Sequence, residues 1–118
     1  MMRISEHFLR SEFQCKCGCG FDTVDTELIN ILEAVRNHFN KPVVITSACR
    51  CEWHNERFGG AAKSQHKLGR AADFIVVDVE PDDVADWLDS YNAPGIGRYS
   101  TFTHIDSRSD RNARWSGN

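Results

Sequence analysis

The sequence has no long hydrophobic run, few prolines and no excess of positive charge. Its 118 residues include 3 prolines, and 14 lysines and arginines stand against 17 aspartates and glutamates. No stretch approaches the roughly 20 apolar residues that span a bilayer, so we expect no membrane association. The formal net charge of −3 argues against general binding to nucleic acid phosphates. Internal repeats are absent too, and we expect a single monomeric domain over residues 1–118.

Residues 1–7 lack the apolar segment of a signal peptide, which predicts synthesis in the cytoplasm. The cysteine count is odd, and an odd count without a secretory signal fits poorly with a closed disulfide framework. Buried free thiols, or one or two disulfides formed after release from the cell, are one interpretation. A second, structural zinc site is the other, although the usual Cys-x-x-Cys spacing is absent. The cysteines are Cys15, Cys17, Cys19, Cys49 and Cys51.

The periodicity of the apolar residues predicts an α+β fold in which helices flank a small antiparallel sheet. Residues 1–23 are rich in turns and are followed by a helix that begins near Asp25 or Thr26. That helix ends near Asn40, and Pro81 is placed to begin a second helix that runs through Leu88. The predicted strands are 43–46, 71–77, 95–99 and 102–106.

The segment 64–73 contains a histidine and an aspartate that are candidate metal ligands. On a straight strand His66 and Asp73 would lie about 23 Å apart, so both can bind one ion only if the chain doubles back. Gly69 permits such a turn. Asp73 is the only charged residue in an apolar strand, so its carboxylate needs a cation, a metal ion or several hydrogen-bond donors as partner. His104, on another apolar strand, is the natural third ligand. Two imidazoles and one carboxylate are typical of catalytic zinc; a hydrogen-bonded surface pair is the alternative.

The pattern Ser-x-His-x-x-Gly-x-Ala-x-Asp, from Ser64 to Asp73, resembles the metal motif of a known family. This family contains the zinc D-Ala-D-Ala carboxypeptidases and L-alanyl-D-glutamate endopeptidases, and the hedgehog signalling domain shares its fold. The resemblance extends over nearly the whole chain and is to the compact branch. It implies that His66, Asp73 and His104 hold zinc in a cleft across the sheet. Other similar segments are 11–13, 17–20, 46–50, 54–55, 59–60, 95–99, 102–108 and 114–115.

The same resemblance implies that Arg50 binds substrate. A guanidinium can bind the carboxylate of a peptidoglycan stem peptide through two parallel hydrogen bonds. The alternative is a structural salt bridge, for example with Asp106. Ser64 and Gln65 adjoin the first ligand and are candidates to donate to a substrate carbonyl, with hydrogen bonding inside the loop as the alternative.

The sequence offers several candidates for the general base, because a position that is acidic in several members of the similar family is Thr101 here. Asp106 lies two residues after His104 on the same strand face and is the nearest candidate base. It is equally a candidate to orient His104, or to pair with Arg50 or Arg108. Further candidates from the loop after Arg50 are Glu52 and His54.

The predicted function is a zinc metallopeptidase that hydrolyses peptidoglycan stem peptides by zinc-activated water. We expect a carboxypeptidase or an endopeptidase of the endolysin type, carried by a phage or a bacterium and acting on the cell wall after release. The partner is the stem peptide, with no nucleic acid or membrane partner. The alternatives are a catalytically inactive wall-binding module that contains zinc, and a structural module of a phage or secretion apparatus.

Overall fold

In a computed structural model that describes residues 2–117, three helices and three strands alternate along the chain and two further strands follow. The helices are α1 (Thr26–Phe39), α2 (Glu52–Arg57) and α3 (Pro81–Ser90). The strands are β1 (Val43–Ser47), β2 (Ala71–Val76), β3 (Gly95–Arg98), β4 (Thr103–Asp106) and β5 (Ala113–Ser116). Two short 3₁₀ helices span Arg10–Glu12 and Gln65–Leu68. Among the helices of residues 2–117, none combines the length and the apolar character needed to cross a membrane.

The five strands form one mixed sheet in the order β1-β2-β4-β3-β5. The first four strands pair antiparallel, whereas β5 runs parallel to β3. The prediction of an antiparallel sheet is therefore wrong at this edge. The reason is that Ala113–Ser116 contains no β-branched residue and pairs with a strand that is distant in sequence, so no local pattern marks it as a strand.

Two of the helices confirm the predicted boundaries. Asp25 precedes α1 in an extended conformation, and Asn40 ends the helix in the left-handed conformation with φ 53°. Pro81 is the first residue of α3, where its missing N–H costs no hydrogen bond. Helix α2 lies in the segment after Arg50, where the sequence predicts a loop. It is only 6 residues long, and the Cys51 side chain caps it by accepting from the His54 amide.

The core lies between the sheet and helices α1 and α3. Side chains alternate between the two faces of a strand, so every second residue of β2 and β4 enters this core. The core residues of the sheet include Ala72, Phe74, Val76, Ile96 and Ile105. The intervening residues Asp73 and His104 consequently lie on the opposite face, where the candidate site is found.

Candidate metal centre

The sheet places two of the predicted ligands next to each other. Asp73 on β2 and His104 on β4 are paired across the strands, and His104 Nδ1 lies 3.0 Å from Asp73 Oδ1. His66 Nε2 lies 3.3 Å from the same oxygen. A tetrahedral ion with ligands at about 2.0–2.1 Å holds them about 3.3 Å apart, which matches these distances. All three side chains are buried, and the donor set fits zinc.

His66 reaches this point because the chain turns sharply on either side of it. It lies in the 3₁₀ helix Gln65–Leu68, where the Ser64 hydroxyl caps the turn by accepting from the His66 amide at 3.1 Å. Gly69 ends the turn in the left-handed conformation with φ 70°. A Cβ at Gly69 would also collide with the Thr23 carbonyl oxygen. The predicted reversal of the chain at Gly69 is confirmed.

Hydrogen bonds select which nitrogen of each imidazole points to the centre. His66 Nδ1 is 2.6 Å from the Ala48 carbonyl oxygen, to which it donates, so Nε2 is left as the ligand atom. In His104 the arrangement is reversed, because Nε2 donates to Asp106 Oδ2 at 2.8 Å and Nδ1 faces Asp73. Such partners behind a ligating histidine determine both its tautomer and the orientation of its ring.

Burial and hydrogen bonding set the charges of the ligands. Burial lowers the pKa of His66 and outweighs the opposing effect of Asp73, so this imidazole is neutral at neutral pH. Burial also acts to lower the pKa of His104, but the hydrogen bonds to Asp106 and Asp73 raise it overall. Burial acts to raise the pKa of Asp73, whereas hydrogen bonds from His104 and His66 bring it well below its usual range. Asp73 is therefore an ionised carboxylate, the form in which it binds a metal.

Asp106 is fully buried and lies at the nitrogen of His104 that does not face Asp73. Arg108 donates to both of its oxygens, from Nε and Nη2, at 2.8 Å each. Burial acts to raise the pKa of Asp106, but Arg108 and His104 together bring it well below its usual range. Gly95 is paired with Asp106 across the strands, and a Cβ there would collide with the carboxylate. Of the alternatives for Asp106, this geometry favours the orientation of His104 and a pair with Arg108.

Arg50 is buried just beyond the end of β1 and contacts the metal centre directly. Its Nη2 donates to Asp73 Oδ2 at 3.1 Å, and its Nε donates to the Ser47 hydroxyl at 3.1 Å. The guanidinium also lies 4.4 Å from the centre of the Phe58 ring. The salt bridge of Arg50 is thus with Asp73 and not with Asp106, the partner suggested from the sequence.

A cleft of about 620 Å³ opens over the three ligands. The predicted substrate residues Arg50, Ser64 and Gln65 all line it, whereas Glu52 and His54 on α2 do not. Within residues 2–117 the acidic lining is limited to Asp73. The cationic side chains that line the cleft are Arg50, Lys63, Arg108 and Arg111.

Besides Phe58, three aromatic residues line the cleft, and the sequence analysis assigned none of them an individual role. Tyr99 and Phe102 stack with ring centres 4.4 Å apart. Trp115 on β5 lies 4.8 Å from the His104 ring and donates from Nε1 to the Tyr99 hydroxyl oxygen at 2.9 Å. The indole fits because Gly97, its cross-strand neighbour, has no side chain; a Cβ there would lie 2.7 Å from the indole. The Gly-x-Gly pattern of β3 is the sequence signal for this space.

Four of the five cysteines gather at a second place: Cys15, Cys17, Cys19 and Cys51 have sulfurs within 4.8 Å of one another. Cys49 is not part of this cluster, so the predicted group of five is wrong in this respect. Its sulfur lies 3.5 Å from the Thr23 carbonyl oxygen, and burial raises the pKa of its thiol to about 12. β1 ends at Ser47, so the strand alternation that would place Cys49 and Cys51 on one side no longer applies.

A buried pair of imidazoles with one carboxylate, lining a cleft, is a candidate metal site with the donor set typical of catalytic zinc. Residues 6–106 match the family model described as Peptidase M15, and the chain belongs to this family. The family implies a zinc metallopeptidase, which confirms the resemblance found in the motif of residues 64–73. A search of curated proteins found no match to the chain.

Proposed function

We propose that this zinc metallopeptidase hydrolyses the stem peptides of peptidoglycan. The observation that carries the proposal is a His-Asp-His centre in a cleft whose other charged lining is entirely cationic within residues 2–117. Stem peptides carry free carboxylates close to their peptide bonds. A cleft of this charge is suited to hold such a peptide with one of its carbonyl groups near the metal ligands.

His66, Asp73 and His104 would hold the ion, leaving a coordination position open toward the cleft. Bound there, zinc supplies Lewis acid chemistry, polarising a carbonyl and lowering the pKa of water toward neutrality. The protein's own part is to keep the ligands rigid. Arg50 holds the second oxygen of Asp73, the Ala48 carbonyl holds the His66 ring, and Asp106 holds the His104 ring.

Asp106 is therefore proposed as a positioning residue and not as the general base. Both of its oxygens are already bonded, and it has no exposed surface through which to receive a proton from the cleft. Its ion pair with Arg108 keeps it charged, so the His104 tautomer is maintained.

Substrate contacts are proposed for Arg111 and Lys63, which add positive charge to the cleft, and for Gln65 and Tyr99. The Gln65 side-chain oxygen is buried without a hydrogen-bond partner among the described residues, so a substrate N–H bound there would satisfy it. The Tyr99 oxygen already accepts from Trp115, which leaves its own hydrogen to be donated to a substrate carbonyl.

Mass spectrometry of a peptidoglycan digest tests this function. The zinc-loaded protein should release D-alanine or cleaved stem peptides, and the products identify the bond that is cut. Activity should disappear on chelation and return with zinc, because the ligands alone have no Lewis acid chemistry. His66→Ala should be inactive, whereas His38→Ala, on α1 and outside the cleft, should retain activity. Release of products by a chelated sample would contradict the proposal.

A second function, a wall-binding module without turnover, is favoured by one observation. In the described part of the chain, Asp73 is the only carboxylate that lines the cleft, and as a metal ligand it would not be free to act as a general base. A folded, zinc-loaded protein that binds peptidoglycan in a sedimentation assay but releases no product would establish this second function.

A further inference from the structure

We propose that Cys15, Cys17, Cys19 and Cys51 bind a second zinc ion, which is structural. This site is separate from the His-Asp-His centre and goes beyond the proposed peptidase activity. Four thiolates are a common ligand set of structural zinc sites, and they fill all four positions so that none is left for substrate.

The distances between the sulfurs are those of ligands that share one ion. Cys17 Sγ lies 3.4 Å from Cys15 Sγ and 3.6 Å from Cys51 Sγ, and all four sulfurs lie within 4.8 Å of one another. Zinc holds thiolates at about 2.3 Å, which in a tetrahedron separates the sulfurs by about 3.8 Å. A disulfide would instead draw them together in pairs at about 2.0 Å.

The backbone explains how the unusual Cys-x-Cys-x-Cys spacing converges on one point. Gly18 and Gly20 adopt φ values of 84° and 92°, which are favourable only for glycine and bend the segment tightly. The turn is closed by hydrogen bonds from the Gly18 amide to the Cys15 carbonyl, at 3.2 Å, and from the Cys15 amide to the Phe21 carbonyl, at 2.8 Å. Cysteines that are two residues apart in this turn can therefore direct their sulfurs to the same point.

Backbone amides also donate to the sulfurs, as expected around metal-bound thiolates. The Cys51 amide donates to Cys15 Sγ at 3.4 Å, and the His54 amide donates to Cys51 Sγ at 3.4 Å. These bonds orient the sulfurs and offset negative charge on them. They also join the N-terminal turn to the start of α2, so the cluster combines two segments that are distant in sequence.

The location of the cluster indicates what the ion does. Cys51 directly follows Arg50, whose guanidinium holds Asp73 in the metal centre. An ion bound to Cys51 would fasten the segment that carries Arg50 to the turn of residues 15–20. The second zinc thus supports the catalytic centre by limiting movement of Arg50.

Metal analysis of the full chain, purified in zinc-containing buffer without chelator, tests the proposal. We expect two zinc ions per chain in the wild type and one in the double variant Cys17→Ser, Cys19→Ser. The matched control is Cys49→Ser, a cysteine outside the cluster, which should keep both ions. His66→Ala should also contain one ion, so loss of the peptidase site and loss of the cysteine site are distinguishable.

Cobalt substitution of the wild type provides a second measurement that does not depend on the folding of a variant. Bound Co²⁺ should show thiolate-to-metal charge-transfer absorption, because only the cysteine cluster has sulfur ligands. The absorption should remain in His66→Ala and disappear in the double cysteine variant. A single zinc per wild-type chain without cobalt–thiolate absorption would overturn the proposal. Disulfides among these cysteines in the freshly isolated protein, or iron in place of zinc, would overturn it too.

Discussion

The orientation of the candidate metal ligands depends on a small number of side chains that would not contact the ion themselves. Asp106 is the most informative of them, because it contacts His104 Nε2 and is held in turn by Arg108. Its location also requires glycine at position 95, where any Cβ would meet the carboxylate. The structure therefore assigns three residues to the task of orienting a single histidine.

Asp106→Asn should lower the zinc affinity of the His-Asp-His centre about 10–100-fold, the usual effect of losing such a partner. An amide has one acceptor oxygen and cannot replace a carboxylate that accepts from both His104 and Arg108. Zinc affinity is measured by competition with a chromophoric chelator, in the Cys17→Ser, Cys19→Ser background. Asp83→Asn, an exposed change on α3, is the control and should leave the affinity unchanged. An Asp106→Asn protein with normal zinc affinity and no turnover would instead support a role for Asp106 as general base.

Among the secondary-structure elements, α1 connects the core to the N-terminal segment through Glu33. Its carboxylate accepts hydrogen bonds from the Ser5 hydroxyl at 2.5 Å and from the His7 amide at 2.8 Å. One of its oxygens also lies 2.6 Å from His7 Nδ1. Burial acts to raise the pKa of Glu33, but the Ser5 and His7 hydrogen bonds lower it overall. The ionised form is therefore the one that stabilises the fold.

Glu33→Gln should reduce the free energy of unfolding by about 1–2 kcal/mol near neutral pH. The folded-state pKa of Glu33 lies below the unfolded value, so its contribution is complete above the unfolded pKa and is lost as pH falls through the folded pKa. The difference between Glu33→Gln and the wild type should accordingly shrink at acidic pH. Urea unfolding at about pH 7 and about pH 3 measures this, with the exposed Glu56→Gln as control. If the free energies of unfolding of the two proteins differed equally at both pH values, the charge of Glu33 would make no contribution to stability.

The charge of the whole molecule is opposite in sign to that of its cleft. The formal net charge is −3, yet the cleft is lined by Arg50, Lys63, Arg108 and Arg111. The acidic remainder of the surface repels an anionic peptide, and the cleft attracts it at short range. Such attraction weakens as salt shortens the Debye length to below about 10 Å.

Arg111→Gln should weaken binding of an anionic stem peptide about 3–10-fold at low ionic strength, and the difference should narrow at high salt. Calorimetry in the His66→Ala background measures the dissociation constant without cleavage of the peptide. Lys41→Gln removes one positive charge outside the cleft, where Lys41 pairs with Asp78. It is the matched control for net charge and should have a smaller effect. Equal effects of the two substitutions on the dissociation constant would indicate that the net charge of the protein, and not the charge of the cleft, determines peptide binding.

Much of the fold could be predicted because its signals are local. Neighbouring residues determine the conformation in three places: the helical spacing of apolar residues in α1, the proline at the start of α3 and the β-branched residues of β1. The motif of residues 64–73 likewise identified His66 and Asp73 as candidate ligands, with Gly69 marking the turn that brings His66 back toward Asp73. Edge strand β5 and helix α2 were not found, because both are short and β5 pairs with a strand that is not its neighbour in the chain.

The sequence by itself determined the family, because the motif of residues 64–73 resembles that of the zinc peptidases and the family match covers residues 6–106. Only the tertiary structure decided which ring nitrogens face the centre, that Asp106 lies behind His104, and that Arg50 pairs with Asp73. It also separated Cys49 from the other four cysteines. These features arise from contacts between residues far apart in the chain, and their geometry depends on strand register and burial, which no local pattern encodes.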